Sequence, residues 1–378
     1  MKIILAIDSF KGSLSSKEAE DAVAQGIQDI IPDCRIEAIP IADGGEGTLS
    51  VLLESTDGVY HKVQAHNPCM ELITAQYGIS KDGNTAFIEM ANISGLPLIR
   101  ENQRNPMKTT TFGTGEIIKA ALEKGCTEFI LGIGGSATND AGTGLLQALG
   151  YRFLDEHGEP LEKGGEILEK IKDIDCSQRH PLLKNAHFIV ACDVRNPFFG
   201  PEGAAYVYAR QKGADNNMIV LLDEGMQSYA QVIKEQTGKD ITCIPGSGAA
   251  GGLGGGILPF LHAELKSGAD LILEHCRFKE RIIGADLIIT GEGKIDRQSL
   301  MGKIPGKILQ ATKVENIPVI AIAGKAEDKE LLMEAGFKGI YQTKPDSMPL
   351  EEAMKPGTAK RNIQKTVSAI LSSFINSD

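Results

Sequence analysis

Glycine in this chain is concentrated where short apolar runs end, which restricts the fold to one whose buried strands empty into tight, ligand-sized loops. Glycine accounts for 43 of 378 residues, well above the usual ~7%. The clusters span 43–47, 132–144, 246–256 and 291–306. Each adjoins an apolar run, so the backbone there must adopt positive φ or approach a bound group closely.

The apolar runs alternate with helical periodicity. Ile3 to Ile7 reads as a buried strand, Ser15-Ser16-Lys17-Glu18 as a capping box, and Ala19, Ala22, Val23, Ile27, Ile30 and Ile31 follow at helical spacing. The same grammar recurs from Ile36, Phe129, Phe188, Leu287 and Pro318, and an amphipathic stripe at Ile363, Val367, Ile370 and Leu371 closes the chain. Strands followed by helices predict an α/β fold with largely parallel sheets. Its ligands are expected beyond the carboxyl ends of the strands. From Val59 to Met90 the texture changes to period two (Tyr60, Lys62, Gln64; Thr74, Gln76), which predicts antiparallel strands. Domain boundaries are therefore expected near residues 60 and 284. A chain of this length exceeds the roughly 250–300 residues of one core, so two domains are expected.

Composition narrows the function. Thirty-nine basic against 50 acidic residues leave a formal charge of −11, which argues against a nucleic-acid or anionic-membrane partner. Six residues separate Lys2 from Asp8, fewer than the roughly 7–15 of a signal-peptide core. A cytoplasmic location is expected. The seven cysteines show no C-x-x-C spacing and the histidines no H-E-x-x-H, so neither a zinc site nor a disulfide framework is expected.

Five loops carry chemistry. Asp8-Ser9-Phe10-Lys11-Gly12-Ser13 leaves the first strand with a carboxylate, a hydroxyl and a lysine; a capped solvated turn is the alternative. Asp43-Gly44-Gly45-Glu46-Gly47 precedes a helix, where open amides could hold an anion while Asp43 or Glu46 takes a hydroxyl or a Mg²⁺ ion. The loop from Gly132 to Gly142 follows a strand and precedes a helix, the setting of a phosphate cradle, although Asp140 sits where a pyrophosphate would approach. The glycines at 246–256 read equally as a ligand loop or a packed crossover. Asp193 ends a strand beside Arg195, where it could deprotonate a hydroxyl, hold a metal or pair with that arginine. Glu292, Lys294, Asp296 and Arg297 share a strand end, with Lys303 following, and unite metal-ligand with phosphate-binding chemistry; a surface ion-pair cluster is the alternative. No G-x-x-x-x-G-K-[ST], H-R-D or D-F-G sequence occurs, so P-loop and protein-kinase folds are not expected.

The ordered motifs AIDSFKGSLSS, PIADGGEGT, GTGE, GIGGSATNDAGTG, ACDVRNP, FGPEGAA, YARQKGA, PGSGAAGGLG and TGEGKIDRQSLMGKIP resemble the bacterial glycerate kinase family of the first type. They run from residue 3 to about residue 310. The resemblance implies ATP-dependent phosphorylation of D-glycerate with Mg²⁺, giving 2-phosphoglycerate and ADP. It also implies two α/β domains: 1–60 plus 285–378 from the chain ends, and a flavodoxin-like domain of 61–284 inserted between them, with the active site in the interdomain cleft.

Expected roles then follow. Asp193 is the base, with Lys11 and Lys294 as catalytic cations. Asp8, Ser9, Asp43, Gly44, Gly45, Glu46, Arg195 and Arg297 meet the substrate. Gly134, Gly135, Ser136, Thr138 and Asn139 cradle the nucleotide phosphates, and Asp296 with Glu292 carries Mg²⁺. Phosphorylation at the 3-hydroxyl, a nicotinamide-dependent hydroxy-acid oxidoreductase and a non-catalytic sugar-acid sensor are the alternatives. ADP release with glycerate separates the kinase from the last two.

Overall fold

A computed structural model describes residues 1–42 and 48–375. Its strands, in chain order, are β1 (Lys2–Ile7), β2 (Arg35–Ala38), β3 (Val59–His66), β4 (Leu72–Ile79), β5 (Thr85–Glu89), β6 (Glu128–Gly132), β7 (Arg152–Leu154), β8 (Asp173–Asp175), β9 (His187–Ala191), β10 (His262–Lys266), β11 (Leu287–Ile295), β12 (Val319–Ala326) and β13 (Gly339–Gln342). The fold is α/β. The chain divides into a terminal unit, Met1–Asp43 with Ala269–Asp378, and a central unit, Gly44–Gly268.

The terminal unit holds a five-stranded sheet in the order β13-β12-β11-β1-β2, parallel throughout. Within this unit the order is 2-1-3-4-5, the flavodoxin-like arrangement. Helices cover β1, so Ile3 to Ile7 are fully buried and the strand reads as an unbroken apolar run. The helix Ser16–Gln28 starts at the expected capping box, in which Ser15 and Glu18 cap one another reciprocally. It packs against the last helix, Pro356–Ile375, through Val23, Ile27, Ile363 and Val367. Gly26 allows the close crossing, and its carbonyl accepts a hydrogen bond from Ser368 Oγ at 3.0 Å.

The central unit has the order β10-β9-β6-β5-β4-β3. β5, β6, β9 and β10 are parallel, whereas β4 is antiparallel to β3 and β5, as the period-two texture predicts. This mixed sheet is not the flavodoxin-like one: that order belongs to the chain ends, opposite to the expectation. A small antiparallel pair, β7 with β8, lies apart from it.

The unit boundaries also differ from residues 60 and 284, and side-chain anchoring explains why. The helix Thr48–Ser55 packs on β4 and β5, and Glu89 Oε1 accepts the Leu49 amide at 2.6 Å, so it belongs with the central sheet. The helix Gly268–His275 is tied the other way, by an ion pair from Lys307 to Asp270 at 2.7 Å and by Cys276 Sγ to the Pro40 carbonyl.

Candidate active site

In the terminal unit the chain reverses its winding between β1 and β11, the strand pair at which open α/β sheets leave a crevice at their carboxyl ends. A cavity of about 450 Å³ lies there. The sequence-predicted Asp8, Ser9, Lys11, Glu292 and Lys294 all line it, brought together from opposite ends of the chain. Lys303, Lys325 and Lys344 line it too, so five ammonium groups meet two lining carboxylates together with Asp296 and Glu327, which pair with Lys294 and Lys325. That local excess of positive charge, in a chain of net charge −11, suits a polyanion, because salt screens the remaining surface beyond about 8–10 Å.

The charges are organised by their neighbours. Glu292 is buried, and its carboxylate accepts Ser299 Oγ at 2.5 Å and Lys303 Nζ at 3.5 Å. Burial pushes its pKa up, against those two hydrogen bonds. Lys294 bridges Asp296 at 3.1 Å and Glu327 at 2.9 Å, which raises its pKa and holds it charged. For Asp296, burial acts upward but is outweighed by Lys294 and by the Gln298 amide, so its carboxyl lies below the usual range. Asp296 caps the turn Arg297–Leu300, and the exposed Arg297 donates its amide to Asp328.

Among the described residues no group of three His, Cys, Asp or Glu could hold a metal ion unaided. A magnesium ion needs only one or two carboxylates when phosphates complete its shell. The buried Glu292 and the neighbouring Asp296 fit an ion carried in that way. Asp43, Gly44, Gly45 and Glu46 lie outside the described residues.

The central unit arranges a second set of polar groups in its interior. Asp140 is wholly buried. Its carboxylate accepts the Thr111 amide and hydroxyl at 2.7 and 2.9 Å, the Thr110 hydroxyl at 3.2 Å, and the Gly142 and Gly144 amides at 3.2 and 3.3 Å. Gly144 is required by this cluster, since a Cβ there would lie 2.0 Å from Thr110 Oγ1. Burial pushes the Asp140 pKa up against these bonds. Its role is to tie the 109–112 and 140–144 loops together; it offers no carboxylate to a ligand. The 246–256 run resolves as a packed crossover: Ala141 donates its amide to the Gly251 carbonyl at 3.0 Å, and a Cβ at Gly256 would lie 1.9 Å from the Ala141 oxygen.

Ser136, Thr138 and Asn139 are buried, whereas Gly134 and Gly135 are exposed. Ser136 Oγ is engaged by Lys212 Nζ at 2.8 Å, and the same ammonium donates to the Thr138 carbonyl at 2.6 Å. The portion of this loop open to a ligand therefore narrows to Gly134 and Gly135. Asp193, beyond β9, is exposed and accepts the Gly268 amide at 3.0 Å; Arg195 is exposed nearby in sequence.

Lys212, Lys325 and Lys344 are missing from the sequence-based assignment. Lys325 had a signal, a lysine after glycine at a strand end. Lys212 had none, because only burial makes it distinctive. Burial pushes its pKa down to about 7, opposed by the Asp140 charge. The native state thus binds this proton less readily than the unfolded chain, so its contribution to stability is fully present above the ordinary 10.5 and is lost as pH falls through about 7. Lys212→Met is expected to flatten that rise in stability with pH. Urea unfolding of both proteins across the window checks it; parallel pH curves for the two would refute the assignment.

Comparison with known proteins agrees with the motif order. The family model described as the glycerate kinase family matches residues 3–375. A glycerate kinase of Halalkalibacterium halodurans is 44% identical over 367 residues, covering 96% of this chain and 97% of its own. A glycerate 2-kinase of Escherichia coli K12 is 43% identical over 374 residues, covering 97% and 98%. Among solved structures, a candidate glycerate kinase 2 from Salmonella typhimurium LT2 superposes with a TM-score of 0.89 at 40% identity, covering 100% of this chain and 99% of that one.

Proposed function

We propose, from the premise that the chain belongs to the glycerate kinase family, that it transfers the γ-phosphoryl group of ATP to the 2-hydroxyl of D-glycerate. ADP and 2-phospho-D-glycerate are the products, and the cytoplasm is the setting. The observation that carries this reading is the lysine-lined cavity at the carboxyl ends of β1 and β11. Phosphoryl transfer demands little covalent chemistry of a protein; positioning and charge neutralisation supply most of the rate. Lys11, Lys294 and Lys303 neutralise the charge on the phosphates. Magnesium, held by the phosphates with Glu292 and Asp296, would add to that neutralisation.

Asp193 takes the proton of the attacking hydroxyl, Asp8 and Ser9 orient the acid, and Arg195 and Arg297 pair with its carboxylate. The 2-hydroxyl is favoured over the 3-hydroxyl because the Escherichia coli relative is a glycerate 2-kinase.

The test is a coupled assay of ADP release with D-glycerate, lactate, tartronate and glucarate, followed by ³¹P NMR of the product. D-Glycerate is expected to give the fastest turnover and a phosphorus coupled to a single methine proton. Coupling to a methylene pair would move the product to 3-phosphoglycerate, and absence of ADP release with any of the acids would overturn the reaction itself.

A further inference from the structure

The terminal-unit cavity is larger and more apolar than a three-carbon acid requires. Besides the lysines, it is lined by Phe10 after β1, by Leu350, Ala353 and Met354, and by Ile363 of the last helix. Leu350 and Met354 are 65% and 37% exposed, two large apolar side chains left in solvent in the lining of a polar site. Glycerate has no apolar face to lay against them, since each of its three carbons bears oxygen. A nucleotide presents both halves at once, a flat ring with apolar faces and a chain of phosphates. Ser13 and Asn362 line the same cavity. The buried Ser13 hydroxyl has no hydrogen-bond partner among the described residues, and the Asn362 amide nitrogen meets only the soft Met348 sulfur, at 3.5 Å, in the one contact the structure shows for it. Both suit the edge of a nitrogen heterocycle, which offers acceptors and a donor in its plane.

We infer that this cavity is the nucleotide site, with the purine held between Phe10 and the 350–354 segment and the phosphates directed to Lys11, Lys294 and Lys303. The inference rests on the ATP-dependent reading above and deepens it by moving the nucleotide from the 134–139 loop to the terminal unit. Burial of Thr138 and Asn139 and the engagement of Ser136 by Lys212 favour the move. It gives the chain beyond the last recognisable motif, residues 343–363, a binding role.

The experiment compares the wild-type protein with Leu350→Asn and Met354→Gln, which remove the apolar surface without adding charge. Both positions are exposed, so folding is retained. The KM for ATP is expected to rise about tenfold or more, while the KM for glycerate stays within about twofold. Inhibition by inorganic tripolyphosphate, which carries the phosphates and no ring, is expected to be unchanged. A rise in the KM for glycerate alone, or no change in either KM, overturns the inference. So does a parallel loss of tripolyphosphate inhibition, because the wall would then act through the fold. Saturable ATP binding is measured separately by calorimetry. If the wild type bound ATP but released no ADP with glycerate, the reaction proposed above would fail, while loss of that binding in the two variants would still uphold the site.

Discussion

Asp193→Asn is expected to leave the protein folded and to lower kcat by about 10²–10⁴-fold, the usual contribution of a general base. The carboxylate stands just past β9, a strand paired in parallel on both sides, so its Cα is held by the sheet while its side chain is exposed. It accepts the Gly268 amide at 3.0 Å, which an asparagine oxygen can still do. Stability therefore changes little and the effect falls on chemistry. The asparagine amide cannot take the proton, so the rate falls. ADP release at saturating substrates checks this. A folded Asp193→Asn protein with kcat near the wild-type value would remove Asp193 from the base role.

Asp140→Ala is expected to act on stability instead, lowering it by about 3–5 kcal/mol, the cost of removing one partner from a buried charged network. Five donors converge on this carboxylate from Thr110, Thr111, Gly142 and Gly144. Their desolvation is tolerated only while an acceptor is present. Lys212, also wholly inside, would lose the nearest opposing charge. Chemical denaturation of the two proteins measures the difference; a loss under about 1 kcal/mol would mean the network is solvated or redundant. The two substitutions thus separate roles that look alike in sequence, each an aspartate in the loop that follows a buried strand.

The strands were the most legible part of the fold. A parallel strand buried on both faces must be apolar at successive positions, so Ile3 to Ile7 and Leu287 to Thr290 announce themselves locally. The Ser15–Glu18 cap was equally local, because its donors and acceptors lie within one turn. The pairing of β1 with β11 left no such trace: Ile3 meets Leu287 across nearly the whole chain. That pairing decides which unit has the flavodoxin-like order, and the expectation placed it in the wrong half for this reason. Asp8 and Lys11 were found because a strand empties into a loop that gathers a carboxylate, a hydroxyl and a lysine, and Glu292 and Lys294 because they follow an apolar run and alternate with glycine. Lys344, Leu350 and Met354 were not, since nothing in their own neighbourhood marks them as cavity walls.

Sequence by itself determined the α/β class, the loops where chemistry gathers and the family, because strand burial, capping and motif order are carried by residues close together along the chain. Only the tertiary structure decided that Asp140 and Lys212 face the interior and that five lysines share one cavity with an apolar wall. Burial and charge proximity are properties of residues distant in the chain, and no short window of sequence contains both partners of such a contact.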